Sequence, residues 1–301
     1  MQLPTVDIIV PHLNDHDRLA ICLEHLERQT YPADCCRVMV VDNGSDRPID
    51  KVVARFPRVS AAFEAERGCG SARNRGVMLT SGDILAFTDS DCRPDPDWIL
   101  NAVRRLTAGE ADFLGGGIKV FAADDSDPTD VELFDMVFGF ETERYVRRKH
   151  FAAGANIIVP RRVFLQVGPF RNGELPEDLE WGRRACAKGF RLGWAPDAVV
   201  RHPARRTWDE LKRKTDRTVY HARNYMREHH WFHLRWAAYT AGMALPPLLK
   251  SWHLLTSPEL TRPEHRWRAI ATLFRIRYYR CRTMLGCLVD PAMLGRTRFE
   301  G

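Results

Sequence analysis

At 301 residues, the chain is long enough for one large α/β domain with an appendage, or for two modest domains. Its charge is uneven, since residues 1–130 hold 14 Lys and Arg against 22 Asp and Glu, whereas residues 131–301 hold 31 against 17. The eight cysteines are scattered, and the adjacent pair Cys35-Cys36 has neither zinc-type nor redox spacing, so we expect reduced thiols.

The N-terminus reaches an apolar strand almost at once, with no basic stretch and no cleavable apolar segment before it. This start predicts a protein without a signal peptide, working in the cytoplasm. The basic second half favours an anionic partner such as a phosphorylated lipid, a membrane surface or nucleic acid. A solvated cationic surface explains any single Arg equally well.

The first third of the chain alternates apolar strands with a helical pattern. Strands are predicted at Val6 to Val10, Arg37 to Val41, Val59 to Phe63 and Ile84 to Thr88, with helices at Asp15 to Gln29 and Ser71 to Thr80. Asn14 or Asp15 is positioned to cap the first helix. Continuous apolar strands separated by helices predict a parallel sheet covered on both faces.

Three polar clusters follow these strands, at Pro11 to Asn14, Asp42 to Ser45 and Asp89 to Asp91. In a parallel α/β sheet, ligands bind outside the carboxyl ends of the strands. One such cluster is an ordinary loop, but three at the same edge predict a binding site.

Beyond residue 112 the pattern is less regular. The expected features are a strand broken by Gly115 to Gly117, an acidic loop at Asp124 to Asp130, strands at Ala155 to Val159 and Ala198 to His202, a helix at Glu177 to Lys188 that Gly189 ends, and helices from Trp208 onward.

The sharpest motif is Phe87-Thr88-Asp89-Ser90-Asp91, in which an apolar strand leads into two carboxylates one residue apart. Hard divalent cations bind carboxylate oxygens and substrate phosphates together, and such a metal can stabilise a departing diphosphate. Asp and Ser are also common in plain turns. The motif alone therefore leaves both interpretations open.

The combination of Val40 to Ser45 (VVDNGS), the segment Gly68 to Gly76 with its Ala72-Arg73-Asn74, and Asp89-Ser90-Asp91 resembles glycosyltransferase family 2. A later match near residues 153 to 203 extends the resemblance to roughly two thirds of the chain. It implies a GT-A fold, which is α/β with a Rossmann-like, mostly parallel sheet that binds a nucleotide-sugar.

On the donor side, the resemblance implies that Asp42 accepts a hydrogen bond from the nucleotide base and that Pro11 and Asn14 line the base pocket. Leu13 stands where family members often have an aromatic residue, which leaves the base open. Arg73 would lie near the nucleotide and its phosphates, or form a structural ion pair with Asp42 or Asp89. Asp89 would contact ribose or sugar.

For the metal, the resemblance implies Asp91 as the direct ligand of Mn²⁺ or Mg²⁺. His202 ends a strand just before Pro203, at a position where family members often supply a further ligand. Imidazole is softer than carboxylate but suits manganese. A lone His is also commonly an ordinary surface or core residue.

On the acceptor side, Ala153 to Asn156 and Leu175 to Trp181 resemble the family segment whose Asp, at the start of a helix, is the catalytic base. Asp178 is predicted for that role, since inverting transfer needs a base for the acceptor hydroxyl. Glu177 and Trp181 are expected to contact acceptor or sugar. Capping would explain the acidic residues, and core packing would explain Trp181.

The C-terminal region is first basic, around Lys212 to Lys214, and then apolar from Trp236 to Leu255. The apolar part contains Pro246-Pro247 and is short for a bilayer span. It predicts either helices lying in a membrane interface or a helical subdomain packed on the rest of the chain.

We therefore expect an α/β GT-A protein with a nucleotide-sugar-binding half (1–112), an acceptor-binding half (113–207) and a helical basic and apolar extension (208–301). The predicted activity is inverting transfer from a nucleotide-sugar to a glycan or lipid-linked sugar in polysaccharide or glycoconjugate synthesis, in the cytoplasm or on the inner membrane face. No nucleic acid is expected as partner. The alternatives are a nucleotidyltransferase and a non-catalytic nucleic-acid-binding protein.

Overall fold

The structure is a computed structural model that describes residues 3–173, 175–227 and 230–289. The described strands are β1 (Val6–His12), β2 (Cys36–Asp42), β3 (Val59–Phe63), β4 (Ile84–Phe87), β5 (Arg93–Pro94), β6 (Phe113–Phe121), β7 (Ile157–Pro160) and β8 (Leu192–Pro203). The α-helices are α1 (His16–Glu27), α2 (Asp50–Val53), α3 (Cys69–Met78), α4 (Trp98–Thr107), α5 (Asp130–Phe138), α6 (Thr142–Lys149), α7 (Arg161–Val167), α8 (Glu177–Ala187), α9 (Trp208–Arg227), α10 (Phe232–Ala244), α11 (Leu248–Thr256) and α12 (Pro263–Val289).

The strands form one sheet in the order β3-β2-β1-β4-β7-β6-β8-β5. The four strands of the predicted βαβ region pair in parallel, whereas β4 pairs with β7, β7 with β6, and β8 with β5 antiparallel. The expected α/β class is confirmed, and the antiparallel pairs of the second half make the sheet mixed.

Side-chain alternation along β1 produces a core on each face of this sheet. Val6, Ile8 and Val10 pack into one apolar cluster, and Ile9 packs into another. Helix α1 covers the first cluster with Leu19, and its N-terminus is capped by Asp15, whose carboxylate accepts a hydrogen bond from the Arg18 amide. The predicted α1 and its cap are thus confirmed, with Asp15 and not Asn14 in the capping role.

The expectation that Gly115 to Gly117 break a strand is wrong, because β6 runs through all three glycines. A Cβ at Gly116 would approach the carbonyl oxygen of Ala198 to 2.5 Å, and one at Gly117 would approach that of Pro196 to 2.8 Å. Glycine therefore allows neighbouring backbone to approach β6 closely, which is a recognised role of glycine within a strand.

The predicted acidic loop at Asp124 to Asp130 ends earlier than expected, since α5 begins at Asp130. Thr129 caps this helix and Glu132 completes a capping box. The spacing Thr-x-x-Glu is a helix start signal. Part of the acidic run therefore belongs to a helix N-terminus.

The chain divides into two compact units, one formed by Met1–Lys119 and Glu141–His202 and the other by Val120–Phe140 and Pro203–Gly301. The expected three ranges do not coincide with these units. The first unit contains residues from both predicted halves of the catalytic domain, and α5 joins the C-terminal helices. The expected extension beyond residue 289 lies outside the described residues.

The second unit is built from α5 and α9 to α12. Leu133 of α5 packs with Leu254 of α11 and Leu273 of α12. Lys214 of the basic helix donates to the Gly139 carbonyl at 2.8 Å and lies 3.4 Å from the Asp135 carboxylate. This lysine therefore has its partners within the second unit. Among the described residues, no helix is both long enough and apolar enough to cross a membrane.

Candidate active site

The loops after β1 and β2 are joined by hydrogen bonds at the predicted nucleotide pocket. The backbone N–H of Asn14 donates to Ser45 Oγ at 2.9 Å, and the side-chain Oδ1 of Asn14 accepts from the backbone N–H of Asp46 at 2.8 Å. Asp42 accepts from Ser45 Oγ at 2.5 Å. Pro11 is buried at the end of β1, and the backbone of Asn14 is left-handed, with φ of 56°, which Asn tolerates. The structure thus brings Pro11, Asn14 and Asp42 together.

A metal-binding constellation is formed by side chains from two distant parts of the chain. Ligand atoms of Asp89, Asp91, Cys92 and His202 all lie within 4.8 Å of one another. The register of β5 and β8 pairs Arg93 with Arg201, and this pairing brings His202 beside the Asp-x-Asp motif. His202 Nε2 lies 3.8 Å from Asp91 Oδ2.

The charges of this cluster suit a divalent cation. Burial raises the pKa of Asp91, the Asp89 carboxylate adds to this, and His202 opposes it. A cation would relieve the cost of keeping these carboxylates ionised at close range. Burial raises the pKa of the Cys92 thiol well above its ordinary value, and sulfur is a soft ligand that suits Mn²⁺ or Mg²⁺ less well than oxygen does. The ligands that fit Mn²⁺ or Mg²⁺ are therefore the two carboxylates and the imidazole.

Arg73 connects this cluster to the predicted acceptor side. Its guanidinium lies 2.7 Å from Asp89 Oδ1 and 2.7 Å from Glu177 Oε1, and only 3% of its side chain is exposed. The pairing with Asp89 was one of two ion pairs that the sequence left open. In this arrangement Arg73 holds two carboxylates in place and presents almost no surface to a nucleotide.

Asp178 lies at the first turn of α8, with both carboxylate oxygens hydrogen-bonded to backbone. Oδ2 accepts from the Gly154 amide at 2.9 Å and Oδ1 from the Leu179 amide at 2.7 Å. Burial, followed by the charge of Glu177, raises the pKa of Asp178 to about 6, against the lowering effects of the Gly154 amide and Arg73. The sequence alone did not indicate the direction of this pKa shift, because it did not show that the Asp178 carboxylate is buried.

Trp181 is a core residue. Its side chain has no exposed surface, its indole N–H donates to the Gly168 carbonyl at 2.9 Å, and its ring contacts those of Phe113 and Phe164. A fully buried ring cannot stack on a sugar. The predicted sugar contact of Trp181 is therefore wrong, and its core-packing alternative is correct.

Two residues of the site were missed as individual contributors. Gly154 donates to Asp178, and a Cβ at this position would come within 2.6 Å of the Arg73 guanidinium. Asn156 accepts from the Trp98 indole N–H at 2.9 Å and donates to the carbonyls of Gly117 and Ala198. The resemblance of Ala153 to Asn156 to the family segment pointed to this region. The separate roles of Gly154 and Asn156 become evident only from their contacts with distant residues.

Comparison with known proteins shows that this chain is similar in sequence to glycosyltransferases. The model of Glycosyl transferase family 2 matches residues 7–168. The chain is 31% identical over 218 residues to Glycosyltransferase AglE of Haloferax volcanii, covering 70% of this chain and 71% of AglE. It is 28% identical over 220 residues to an N-acetylglucosaminyltransferase of Rhizobium meliloti, covering 66% of this chain and about half, 51%, of that protein.

Solved structures show the same fold at low sequence identity. One is the mannosyltransferase PcManGT from Pyrobaculum calidifontis, solved with GDP-Man and Mn²⁺. The match spans 97% of this chain and 88% of the PcManGT chain, with a TM-score of 0.63 and 19% identity. The structure of S. aureus TarS residues 1–349 matches 91% of this chain and 72% of the TarS chain, with a TM-score of 0.55 and 16% identity. These likenesses confirm the expected GT-A fold.

Proposed function

This chain belongs to glycosyltransferase family 2 and is a glycosyltransferase, and on that premise we propose that it transfers sugar from a nucleotide-sugar with inversion at the anomeric carbon. The observation that carries the proposal is the Arg73 guanidinium, bonded at 2.7 Å to Asp89 of the metal-binding cluster and to Glu177 beside Asp178. Arg73 thereby holds the proposed donor-binding residue Asp89 close to the proposed base Asp178.

We assign the donor to the edge formed by Pro11, Asn14, Asp42 and Asp89. Asp91 and His202 would hold Mn²⁺ or Mg²⁺, and PcManGT, which was solved with Mn²⁺, supports this choice. When bound, the cation supplies positive charge that stabilises the diphosphate leaving group. Arg73 keeps Asp89 oriented, and we assign it a positioning role in place of direct phosphate binding.

The transfer itself requires a base on the acceptor side. The Asp178 carboxylate removes the acceptor hydroxyl proton while the oxygen forms a bond to the anomeric carbon. The bond from that carbon to the diphosphate breaks, and its electron pair leaves with the diphosphate oxygen. A pKa of about 6 keeps Asp178 mostly ionised at neutral pH and still basic enough to accept a proton.

His202→Ala is expected to weaken Mn²⁺ binding at least about tenfold, the smallest effect typical of residues around a metal, but less than Asp91→Ala does, because it removes one ligand and leaves the Asp91 carboxylate. The measurement is calorimetric titration of Mn²⁺ into protein saturated with a nucleoside diphosphate. His25→Ala is the control, since His25 bonds the Pro94 carbonyl and lies outside the cluster. Equal Mn²⁺ affinity in the His202 variant and the unaltered protein would make His202 a structural residue.

The donor can be identified by thermal unfolding with UDP-, GDP- and dTDP-sugars, each with Mn²⁺ and with a chelator. A ligand at a hundred times its Kd stabilises the native state by about 2.7 kcal/mol. The melting temperature should then rise by several degrees for one donor, and only with metal. GDP-mannose is tested first because PcManGT binds GDP-Man. No metal-dependent rise with any donor would contradict the proposal.

We further propose a glycan or lipid-linked sugar as acceptor, in polysaccharide or glycoconjugate synthesis. A lipid-linked acceptor would place the reaction on the inner face of a membrane, with the protein bound peripherally from the cytoplasm. Within the catalytic region, 1–112 would serve the donor and 113–207 the acceptor. The two alternatives, nucleotidyl transfer and non-catalytic nucleic-acid binding, receive no support from the relatives.

A further inference from the structure

The second compact unit carries an apolar surface that faces away from its own core. We call it the outer face, meaning the exposed apolar side chains of residues 231–252. Trp236 and Thr240 of helix α10 are buried, and most of the exposed residues of this helix are apolar. The largest side chains of the outer face are Trp231, Leu234, Leu245, Leu248, Leu249 and Trp252.

Part of the outer face forms a stripe along one side of α11. Leu248, Leu249 and Trp252 lie at helical spacing on the side of α11 opposite the buried Leu254, and Leu245 lies just before that helix. Their exposed fractions run from 65% to 88%. Large contiguous apolar patches on a protein surface mark an interaction site.

The charges around the outer face select an anionic partner. Residues 231–258 contain no Asp or Glu, whereas Arg235 of α10 is exposed. Trp231 and Trp252, at the two ends of the segment 231–252, are of a residue type enriched where hydrocarbon meets water. Apolar side chains with a cation and no acidic residue among them match the headgroup region of a bilayer containing anionic lipid.

We infer that the outer face binds an anionic lipid surface, with Leu248, Leu249 and Trp252 entering the headgroup and acyl boundary while Arg235 contacts lipid phosphates. This inference deepens the proposed function, on which its biological use rests, because a lipid-linked acceptor would be met at that surface. The unit would lie along the membrane, as interfacial helices do.

The test is co-sedimentation of the full chain with vesicles of phosphatidylcholine alone and of equal parts phosphatidylcholine and phosphatidylglycerol. The unaltered protein should bind the anionic vesicles, more weakly at higher salt. The triple variant Leu248→Ser/Leu249→Ser/Trp252→Ser should bind about a thousandfold more weakly, since each of the three immersed side chains contributes about tenfold. The Arg235→Glu variant should lose much of the preference for anionic vesicles, but it should keep the part of vesicle binding that comes from the apolar side chains.

The matched control is Met78→Ser/Leu165→Ser, which removes two exposed apolar side chains of the first unit and should bind vesicles normally. Equal binding by the triple variant and the unaltered protein would overturn the inference. So would concentration-dependent dimerisation that the triple variant abolishes, without vesicle binding, because the outer face would then join two copies. Metal-dependent stabilisation by a nucleotide-sugar, measured without vesicles, tests the proposed function separately and should be unchanged in the triple variant.

Discussion

Asp178→Asn is expected to lower turnover by about a hundredfold to ten-thousandfold, the range that general base catalysis contributes, while the donor Kd stays nearly constant. The amide cannot accept the acceptor proton. It also replaces one of the two oxygens that accept backbone N–H groups from Gly154 and Leu179, so we expect a loss of about 1 kcal/mol of stability. Turnover is measured by product formation at saturating donor, and stability by thermal unfolding.

Two further variants separate proton transfer from electrostatics. Glu180→Gln removes a negative charge from the same first turn of α8 but changes a carboxylate paired with Arg184, so turnover should stay near that of the unaltered protein. Glu177→Gln should lower turnover less than Asp178→Asn does, through its lost pairing with Arg73. If Glu177→Gln is inactive and Asp178→Asn remains active, Glu177 is the base.

The pH profile gives an independent readout of the same carboxylate. Because the pKa of Asp178 is raised to about 6, the ionised base is present above that pH and turnover should fall as the pH drops below it. Glu177 contributes to the raised pKa through its like charge. Glu177→Gln should therefore move the acidic limb of the profile to lower pH, whereas a structural role for Asp178 would leave that limb unchanged.

Asp91→Ala is expected to abolish the metal-dependent part of donor binding, with a loss of at least about a hundredfold in Mn²⁺ affinity, because even residues outside the ligand shell typically contribute about tenfold to a hundredfold. The neighbouring Asp89 cannot easily substitute, since its carboxylate is bonded to Arg73 at 2.7 Å. Calorimetry of Mn²⁺ with a nucleoside diphosphate present measures the effect.

Asp95→Ala is the matched control for this variant. Asp95 lies beside the same sheet edge and pairs with Arg201 at 2.7 Å, but it contributes no atom to the cluster of Asp89, Asp91 and His202. Its removal should leave Mn²⁺ affinity within a few-fold of the unaltered value. Normal Mn²⁺ and donor binding by Asp91→Ala would contradict the metal assignment.

The sequence by itself determined the first βαβ elements and the identity of the polar residues at the strand ends. This succeeded because hydrophobic periodicity and strand-end position are local properties, and Val59–Phe63 was predicted to the residue. The Asp-x-Asp motif also needed no tertiary information, since its two carboxylates are one residue apart. The order of the family motifs then indicated the fold.

The tertiary structure decided everything that depends on which distant residues meet. The register of β5 and β8 brings His202 to Asp91, and the packing of α3 against α8 lets Arg73 reach Glu177. Burial, which no local pattern reports, raised the pKa of Asp178 and placed Trp181 in the core. These outcomes depend on contacts across 13 to 111 residues of sequence, and a side chain's environment is fixed only when those contacts form.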